Sequence, residues 1–257
     1  MVKLLMEKVR IATLMTCYNR REATLACIEA AIRQKDVDDV NIEIYLVDDA
    51  STDGTGDSVR NRFPKVRLLK GDGNLYWCGG MRLAWSEAMK NDYDYYLWLN
   101  DDTVLFEDAV RVLLTTANQM LEEEGKKGIV VGSCCDPETG EHTYGGRVLA
   151  RSNAPVIPSD RPQPCDIING NIVLIPRDVS SVVGNISSEF AHTSGDNDYG
   201  LRALKAGFNL WIAPGYQGLC SSNKHIPWAD PEIPLRERLR YLYSEKGHKT
   251  QIKRKII

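Results

Sequence analysis

Two pairs of neighbouring aspartates, Asp48–Asp49 and Asp101–Asp102, stand at the ends of apolar runs in the first half of the sequence. Adjacent carboxylates repel, so each raises the pKa of the other unless a cation offsets their charge. Mg²⁺ and Mn²⁺ are bound by one or two carboxylates together with the phosphate oxygens of a ligand. A single acidic pair is also common in solvated turns. Two such pairs after two apolar runs favour a site for a nucleotide and a metal.

A third polar cluster, which contains Thr16, Tyr18 and Asn19, follows the first apolar run of the chain. Strand and helix patterns alternate around the three clusters. The predicted strands cover 9–16, 41–49, 66–70 and 95–99, and the predicted helices cover 22–34, a segment ending at 62, and 79–91. This alternation predicts an α/β fold with a mostly parallel, Rossmann-like sheet and helices on both faces. Because ligands bind beyond the carboxyl ends of parallel strands, we expect the three clusters to meet on one rim.

The second half of the chain has weaker patterns. Residues 132–165 contain five prolines and no sustained period, which predicts a long loop or β excursion rather than a linker, because apolar residues resume at 166–175. A helix is predicted from Asp196 or Asp198 to Ala206, with Gly207 as its C-cap. An aspartate at this helix start is either an N-cap or a functional carboxylate.

Composition narrows the class of protein. The 257 residues are 43% hydrophobic and 26% charged, with a net charge of −3, which argues against nucleic acid binding through a general basic surface. Seven cysteines form no C-x-x-C pair, so we expect reduced thiols in a cytoplasmic protein. No apolar run is long enough to span a membrane, and the charged start does not resemble a signal peptide.

Positive charge concentrates at the end of the chain. Residues 235–257 carry eight Lys and Arg against two Glu, a local balance of +6. We therefore divide the chain into one domain at 1–234 and a basic helical segment at 235–257. This segment either contacts an anionic membrane from its inner, cytoplasmic face, or forms a solvated helix packed on the domain.

Four ordered motifs resemble the GT-A glycosyltransferases of family 2. They are Leu14-Met-Thr-Cys-Tyr-Asn-Arg, Val47-Asp-Asp-Ala-Ser-Thr-Asp-Gly-Thr, Trp98-Leu-Asn-Asp-Asp-Thr and Asp196-Asn-Asp-Tyr-Gly-Leu-Arg. The resemblance covers roughly residues 9–225. It implies a GT-A fold with an acceptor-side β excursion. It also implies an enzyme that transfers a sugar from a nucleoside-diphosphate sugar to a hydroxyl group of a carbohydrate or lipid-linked acceptor.

The resemblance also implies roles for individual residues of the donor site. Asp102 coordinates the Mg²⁺ or Mn²⁺ that bridges the donor diphosphate, and Asp101 lies close to the sugar. Asn100 stands where the family usually has its first aspartate. The remaining donor-binding residues implied are Thr16, Tyr18 and Asn19 at the nucleobase, Asp48 at the base or ribose with Asp49 beside it, and Asn74, Gly79 and Gly80 at the phosphates. For the two glycines, an ordinary helix start is the alternative.

On the acceptor side, Asp196 matches the family's catalytic base, and Asp198 is the rival for that role. Gly195 replaces the preceding Glu of the usual pair. Cys220 occupies the likeliest position of a C-terminal metal-binding histidine found in some GT-A enzymes, and His225 is the nearby alternative.

The function implied is metal-dependent, inverting sugar transfer from a UDP- or dTDP-type donor, in bacterial surface polysaccharide synthesis. Two alternatives stay open at this point. One is a sugar-phosphate nucleotidylyltransferase, although the first strand lacks the glycine-rich phosphate loop expected there. The other is a catalytically inactive subunit that binds a sugar nucleotide, which Asn100 and Gly195 leave open.

Overall fold

A ten-stranded mixed sheet runs through the computed structural model, which describes residues 8–151, 153–222 and 231–243. The strands are β1 (Val9–Cys17), β2 (Val40–Asp48), β3 (Arg67–Lys70), β4 (Tyr95–Leu99), β5 (Val104–Leu105), β6 (Ile129–Cys135), β7 (His142–Tyr144), β8 (Gly146–Val148), β9 (Ala154–Pro155), β10 (Gln163–Pro164), β11 (Ile167–Ile168), β12 (Ile172–Pro176) and β13 (Leu210–Leu219). The helices are α1 (Arg21–Ile32), α2 (Thr55–Arg62), α3 (Tyr76–Ala88), α4 (Ala109–Glu124), α5 (Arg177–Val183), α6 (Gly195–Lys205) and α7 (Leu235–Leu242).

The central strand order is β10-β13-β6-β12-β4-β1-β2-β3. Strands β3, β2, β1 and β4 are parallel neighbours. Strand β12 is antiparallel to both β4 and β6, and β13 is parallel to β6. Six of the strands in this order therefore point the same way, and their carboxyl ends share one rim.

Helices cover both faces of the sheet, and the alternation of side chains along the strands explains why. In β1, Ile11 and Met15 pack into the core formed with α1, α2 and α4, whereas Ala12 and Leu14 pack into the core formed with α3, α5 and α6. All four side chains are fully buried. The predicted α/β fold with a mostly parallel sheet and helices on both faces is confirmed.

Several predicted boundaries were wrong. The excursion predicted to begin at 132 begins after Cys135, because β6 is buried along its whole length and continues the sheet. Its later part forms short strands, and β8 pairs with β9 and β11 in a separate three-stranded sheet. Helix α3 begins at Tyr76 rather than near Gly79, and α6 begins at Gly195, with Gly207 following its C-cap at φ +87°.

The basic segment at 235–257 is described only in part. Helix α7 covers Leu235–Leu242, and Leu235 and Leu239 are exposed on it. Residues 244–257 lie outside the described residues, as does His225. Within the described part of the chain, no helix has both the length and the apolar character needed to cross a membrane.

Candidate active site

The loops that follow β1, β2 and β4 meet on the rim formed by the carboxyl ends of the parallel strands. Cys17 at the end of β1 lies opposite Asp48 at the end of β2. Arg20, in the loop after β1, reaches across to Asp101 and Asp102 after β4. The structure thus brings together the three polar clusters found in the sequence.

Asn19 joins the loop after β1 to the loop after β2. Its backbone lies in the left-handed region at φ 51°. Its Oδ1 accepts a hydrogen bond from the Thr52 backbone N–H at 2.7 Å, and its own N–H donates to Ser51 Oγ at 3.0 Å. Tyr18 beside it is 55% exposed, so its ring is available on the rim for stacking.

The two aspartates at the end of β2 differ in their environment. Asp48 is half-buried, and its Oδ1 accepts one hydrogen bond, from the Ser51 backbone N–H at 2.9 Å. Asp49 is buried and accepts three. Its Oδ1 receives the Gly73 N–H at 2.8 Å, and its Oδ2 receives the N–H groups of Leu75 and Tyr76 at 3.0 and 3.1 Å. Asp49 therefore fixes the 71–76 loop, and Asp48 keeps more of its carboxylate available to a ligand.

That loop carries Asn74, which is exposed on the rim and bonded within the loop to Asp72. It leads into α3, where Gly79 and Gly80 are buried. The Gly79 N–H already donates to the Leu75 carbonyl at 3.0 Å. A Cβ at Gly80 would overlap the side chain of Thr16. Gly80 thus allows the close contact between α3 and Thr16 near the end of β1.

Asp101 and Asp102 share one cation. Arg20 Nη1 lies 3.3 Å from Asp101 Oδ1 and 2.5 Å from Asp102 Oδ2. Asp101 is buried, and burial raises its pKa to about 7, an effect that the Arg20 guanidinium opposes and the Asp102 charge reinforces. The Asp102 side chain retains 28% exposure, so its carboxylate faces the rim.

Asn100 is held by a tryptophan of α3. Trp77 Nε1 donates to Asn100 Oδ1 at 2.7 Å, and the Trp77 ring packs edge-on against Trp98 with centroids 5.7 Å apart. The six-membered ring of the Trp77 indole also lies against Gly170. The side-chain oxygen of Asn100, the first residue of the acidic motif, therefore already accepts a hydrogen bond from the protein.

The residues around Asp102 fit a divalent cation held by one carboxylate and ligand phosphates. Within the described residues, no group of three or more His, Cys, Asp or Glu forms a protein-only metal site. Cys220 Sγ donates to Asp102 Oδ1 at 3.6 Å, and burial raises the pKa of this thiol to about 12. A neutral thiol is a poor ligand. Mg²⁺ and Mn²⁺ accept a single carboxylate with phosphate oxygens, so Asp102 is the protein ligand that suits them.

Asp196 lies on the first turn of α6 and is held by two backbone donors. Its Oδ2 accepts the Gly170 N–H at 3.1 Å, and its Oδ1 accepts the Asn197 N–H at 2.8 Å. Burial raises the pKa of Asp196, and those hydrogen bonds and the charge of Arg147 oppose the shift. The carboxyl thus has a higher proton affinity than an ordinary surface aspartate. Gly170, which donates to it, is also the residue against which Trp77 packs.

Asp198 is engaged elsewhere. Its Oδ2 accepts from Arg202 Nε at 2.7 Å, one helical turn along. Arg202 also donates to the carbonyls of Val183 and Asn185, so the pair ties α6 to the end of α5. Gly195, before Asp196, is buried against Cys78, and a Cβ there would lie 2.5 Å from the Cys78 sulfur. A glutamate cannot occupy this position unless Cys78 moves.

A comparison with known protein families matches the part of the chain that carries the three polar clusters. The family described as glycosyl transferase family 2 matches residues 13–147, slightly more than half of the chain. The chain belongs to glycosyl transferase family 2. The match includes the three polar clusters of the rim, whereas Asp196 and Cys220 lie beyond it.

A solved structure supports the GT-A fold of this glycosyltransferase. The mannosyltransferase PcManGT from Pyrobaculum calidifontis, in complex with GDP-Man and Mn²⁺, is similar with a TM-score of 0.60 and 17% sequence identity. The alignment covers 92% of this chain and 70% of that chain. The chain matches no curated protein sequence.

Sequence reasoning missed two residues that organise the site of this family 2 glycosyltransferase. Arg20 stands in the first motif but received no role, although a cation beyond a strand end that faces acidic loops is a detectable signal. Trp77 has no motif of its own in the sequence. Its hydrogen bond to Asn100 requires knowledge of where α3 lies.

Proposed function

We propose that the protein transfers a sugar from a nucleoside-diphosphate sugar to a hydroxyl group of a carbohydrate or lipid-linked acceptor, with inversion at the anomeric carbon. One observation carries this proposal. Asp196, a carboxyl with a raised pKa, is linked through Gly170 and Trp77 to Asn100, the residue before the acidic pair. A proton acceptor and a carboxylate that can hold a metal for the diphosphate are the groups that inverting transfer needs.

The donor nucleotide would bind over the loops after β1 and β2. Tyr18 offers an exposed ring for the base, Asn19 fixes the loop, and Asp48 offers a carboxylate to the base or ribose. The similar mannosyltransferase carries GDP-Man. A guanosine nucleotide therefore belongs beside the uridine and deoxythymidine nucleotides among the donors to be tested.

Asp102 would hold the Mg²⁺ or Mn²⁺ together with the donor diphosphate. When bound, the metal offsets the charge that develops on the leaving diphosphate. Asp101, buried beside it, accepts a hydrogen bond from Arg20. The second oxygen of Asp102 stays in contact with the Cys220 thiol.

Asp196 would take the proton from the acceptor hydroxyl as the new glycosidic bond forms. A general base works best when its pKa lies near the operating pH, and burial moves Asp196 in that direction. Asp198 cannot reach the same point while Arg202 holds it, so we assign Asp198 to the support of α6.

We also propose that the enzyme acts in polysaccharide synthesis on the cytoplasmic side of a membrane, with α7 and the basic residues after it near the lipid surface. The support is the family resemblance together with the +6 balance of 235–257. Exposed Leu235 and Leu239 on α7 suit such a contact.

A ligand panel tests the donor assignment. Thermal unfolding is followed with UDP, dTDP and GDP, and with their sugars, each with and without Mn²⁺, because a ligand that binds only the folded state raises apparent stability. We expect one nucleotide to raise the Tm, more strongly with Mn²⁺. No shift with any nucleotide contradicts the proposal.

Turnover separates an enzyme from an inactive binding subunit, the alternative that Asn100 and Gly195 leave open. Slow release of free sugar from the bound donor, dependent on Asp196, identifies an enzyme. Binding without release over long incubation, with or without saccharide acceptors, identifies the inactive subunit.

A further inference from the structure

Arg20 stands where a divalent cation would approach the acidic pair. One nitrogen of its guanidinium contacts both carboxylates, at 2.5 Å from Asp102 and 3.3 Å from Asp101. The other oxygen of Asp102 faces the Cys220 thiol. Both oxygens of the carboxylate assigned to the metal are therefore engaged by protein groups.

A metal and this guanidinium cannot both hold Asp102 at low energy. Mg²⁺ binds oxygen at about 2.0–2.1 Å, so a metal on Oδ2 would lie within a few ångströms of the Arg20 charge. Like charges this close repel strongly, even near the protein surface. Displacement of the neutral thiol would leave that repulsion in place. We therefore expect the guanidinium to move away from Asp102 when the metal binds.

The Arg20 side chain has another binding partner within reach on the rim, the donor diphosphate. Its side chain is 46% exposed, and the residue lies on the loop just before α1. It follows the exposed Tyr18 and Asn19, which is hydrogen-bonded to the loop after β2. This is the edge over which the donor would lie. Guanidinium groups bind phosphate oxygens in a forked geometry, so a diphosphate on the rim offers Arg20 a replacement for Asp102.

We propose that Arg20 is an internal counter-cation that competes with the divalent metal for Asp102, so that the metal binds tightly only together with a diphosphate that takes over the guanidinium. This inference rests on the proposed donor and metal site, and it adds that tight metal binding requires the nucleotide diphosphate. Metal alone should bind weakly, and the metal and the nucleotide should each strengthen the binding of the other by the same factor.

Mn²⁺ binding measured by electron paramagnetic resonance tests the competition without any turnover. Four proteins are titrated with Mn²⁺ alone: the parent, Arg20→Gln, Arg20→Lys and Arg21→Gln. Arg21 is the matched control, because it neighbours Arg20 and its side chain pairs with Glu22 instead of the acidic pair. We expect Arg20→Gln to bind Mn²⁺ about tenfold more tightly than the parent, which corresponds to about 1.4 kcal/mol.

The other variants test whether the positive charge at position 20 weakens Mn²⁺ binding in the parent. Arg20→Lys retains the positive charge and should bind Mn²⁺ within about threefold of the parent, as should Arg21→Gln. The titrations are repeated with saturating UDP or GDP, whichever binds the parent. The factor by which the nucleotide strengthens Mn²⁺ binding should be smaller in Arg20→Gln than in the parent.

Equal or weaker Mn²⁺ binding by folded Arg20→Gln overturns the inference, and so does an equal gain in Arg21→Gln or Arg20→Lys. Far-ultraviolet circular dichroism checks the fold of each variant. If the parent binds nucleotide with Mn²⁺ but Arg20→Gln shows no gain, the donor site stands and the competition is refuted. If Arg20→Gln gains Mn²⁺ affinity while no nucleotide binds, the competition stands and the proposed function fails.

Discussion

Replacement of Asp49 by asparagine should destabilise the fold much more than the same replacement of Asp48. Asp49 accepts three backbone hydrogen bonds from the 71–76 loop, at 2.8, 3.0 and 3.1 Å, and is 4% exposed. Asp48 accepts one, at 2.9 Å, and is half-buried. The two neighbours carry the same chemical group, so the comparison isolates what each carboxylate does.

The size of the effect follows from the bonds that an amide cannot make. An asparagine at 49 can present its carbonyl oxygen to Leu75 and Tyr76, but its amide nitrogen then faces the Gly73 N–H, and that donor loses its acceptor. A hydrogen bond to a charged group contributes about 1.5–3 kcal/mol, and a buried donor without an acceptor costs a similar amount. We expect a loss of about 2–4 kcal/mol for Asp49→Asn. At 48 the asparagine carbonyl can still accept from Ser51, so the loss should stay below about 1 kcal/mol.

Urea unfolding with linear extrapolation measures both free energies, and nucleotide binding by calorimetry is measured on the same samples. Asp48→Asn should reduce nucleotide affinity with little loss of stability. The reasoning is refuted if Asp49→Asn unfolds within about 1 kcal/mol of Asp48→Asn. If Asp49→Asn keeps its stability and loses nucleotide binding, Asp49 belongs to the donor site rather than to the loop.

Three further predictions concern the chemistry and location of the enzyme. Asp102→Asn should abolish the Mn²⁺-dependent part of nucleotide binding in calorimetry and leave the fold intact; binding equal to that of the parent contradicts the metal assignment. Asp196→Asn should lower kcat about 10²–10⁴-fold with donor affinity retained, and Asp198→Asn should lower it less. Equal losses of kcat in these two variants would contradict the assignment of Asp196 as the base. Because the base must be ionised, the kcat of the parent should fall as the pH drops through the raised pKa of Asp196. Deletion of 236–257 should abolish co-sedimentation with anionic vesicles at low salt, and absence of vesicle binding by the full chain rejects membrane contact.

The rim of the site could be predicted because it follows from strand direction alone. Once the apolar runs before Cys17, Asp48 and Asn100 are assigned to parallel strands, their ends must share one edge of the sheet. No side-chain detail is needed for that step. The position of Asp196 on the first turn of a helix likewise follows from the local pattern.

Strand β13 shows where sequence patterns fail. Its residues include Pro214, Gly215 and Gly218, which are typical of a turn, yet they lie in a ten-residue strand. The register with β6 shifts between Ile212 and Tyr216 and again between Tyr216 and Gly218. Such bulges let a strand accept Pro and Gly residues, and only the neighbouring strand reveals them.

The donor loops show a different limit. Asp48 and Asp49 carry the same side chain. Gly79 and Gly80 likewise do not differ in sequence from glycines whose backbone binds phosphate. Whether such a residue faces a ligand or holds the protein together depends on its neighbours in three dimensions. Here Asp49 faces the 71–76 loop and Gly80 faces Thr16, which no spacing in the sequence discloses.

The two departures from the family pattern, at Asn100 and Gly195, both contact the first turn of α3. Asn100 accepts the Trp77 indole hydrogen bond, and Gly195 leaves room for the sulfur of Cys78, the next residue along. An aspartate at 100 would add a third negative charge beside Asp101 and Asp102, where Arg20 is the cation in contact with that pair. Neither departure removes Asp102 or Asp196, so both are compatible with sugar transfer.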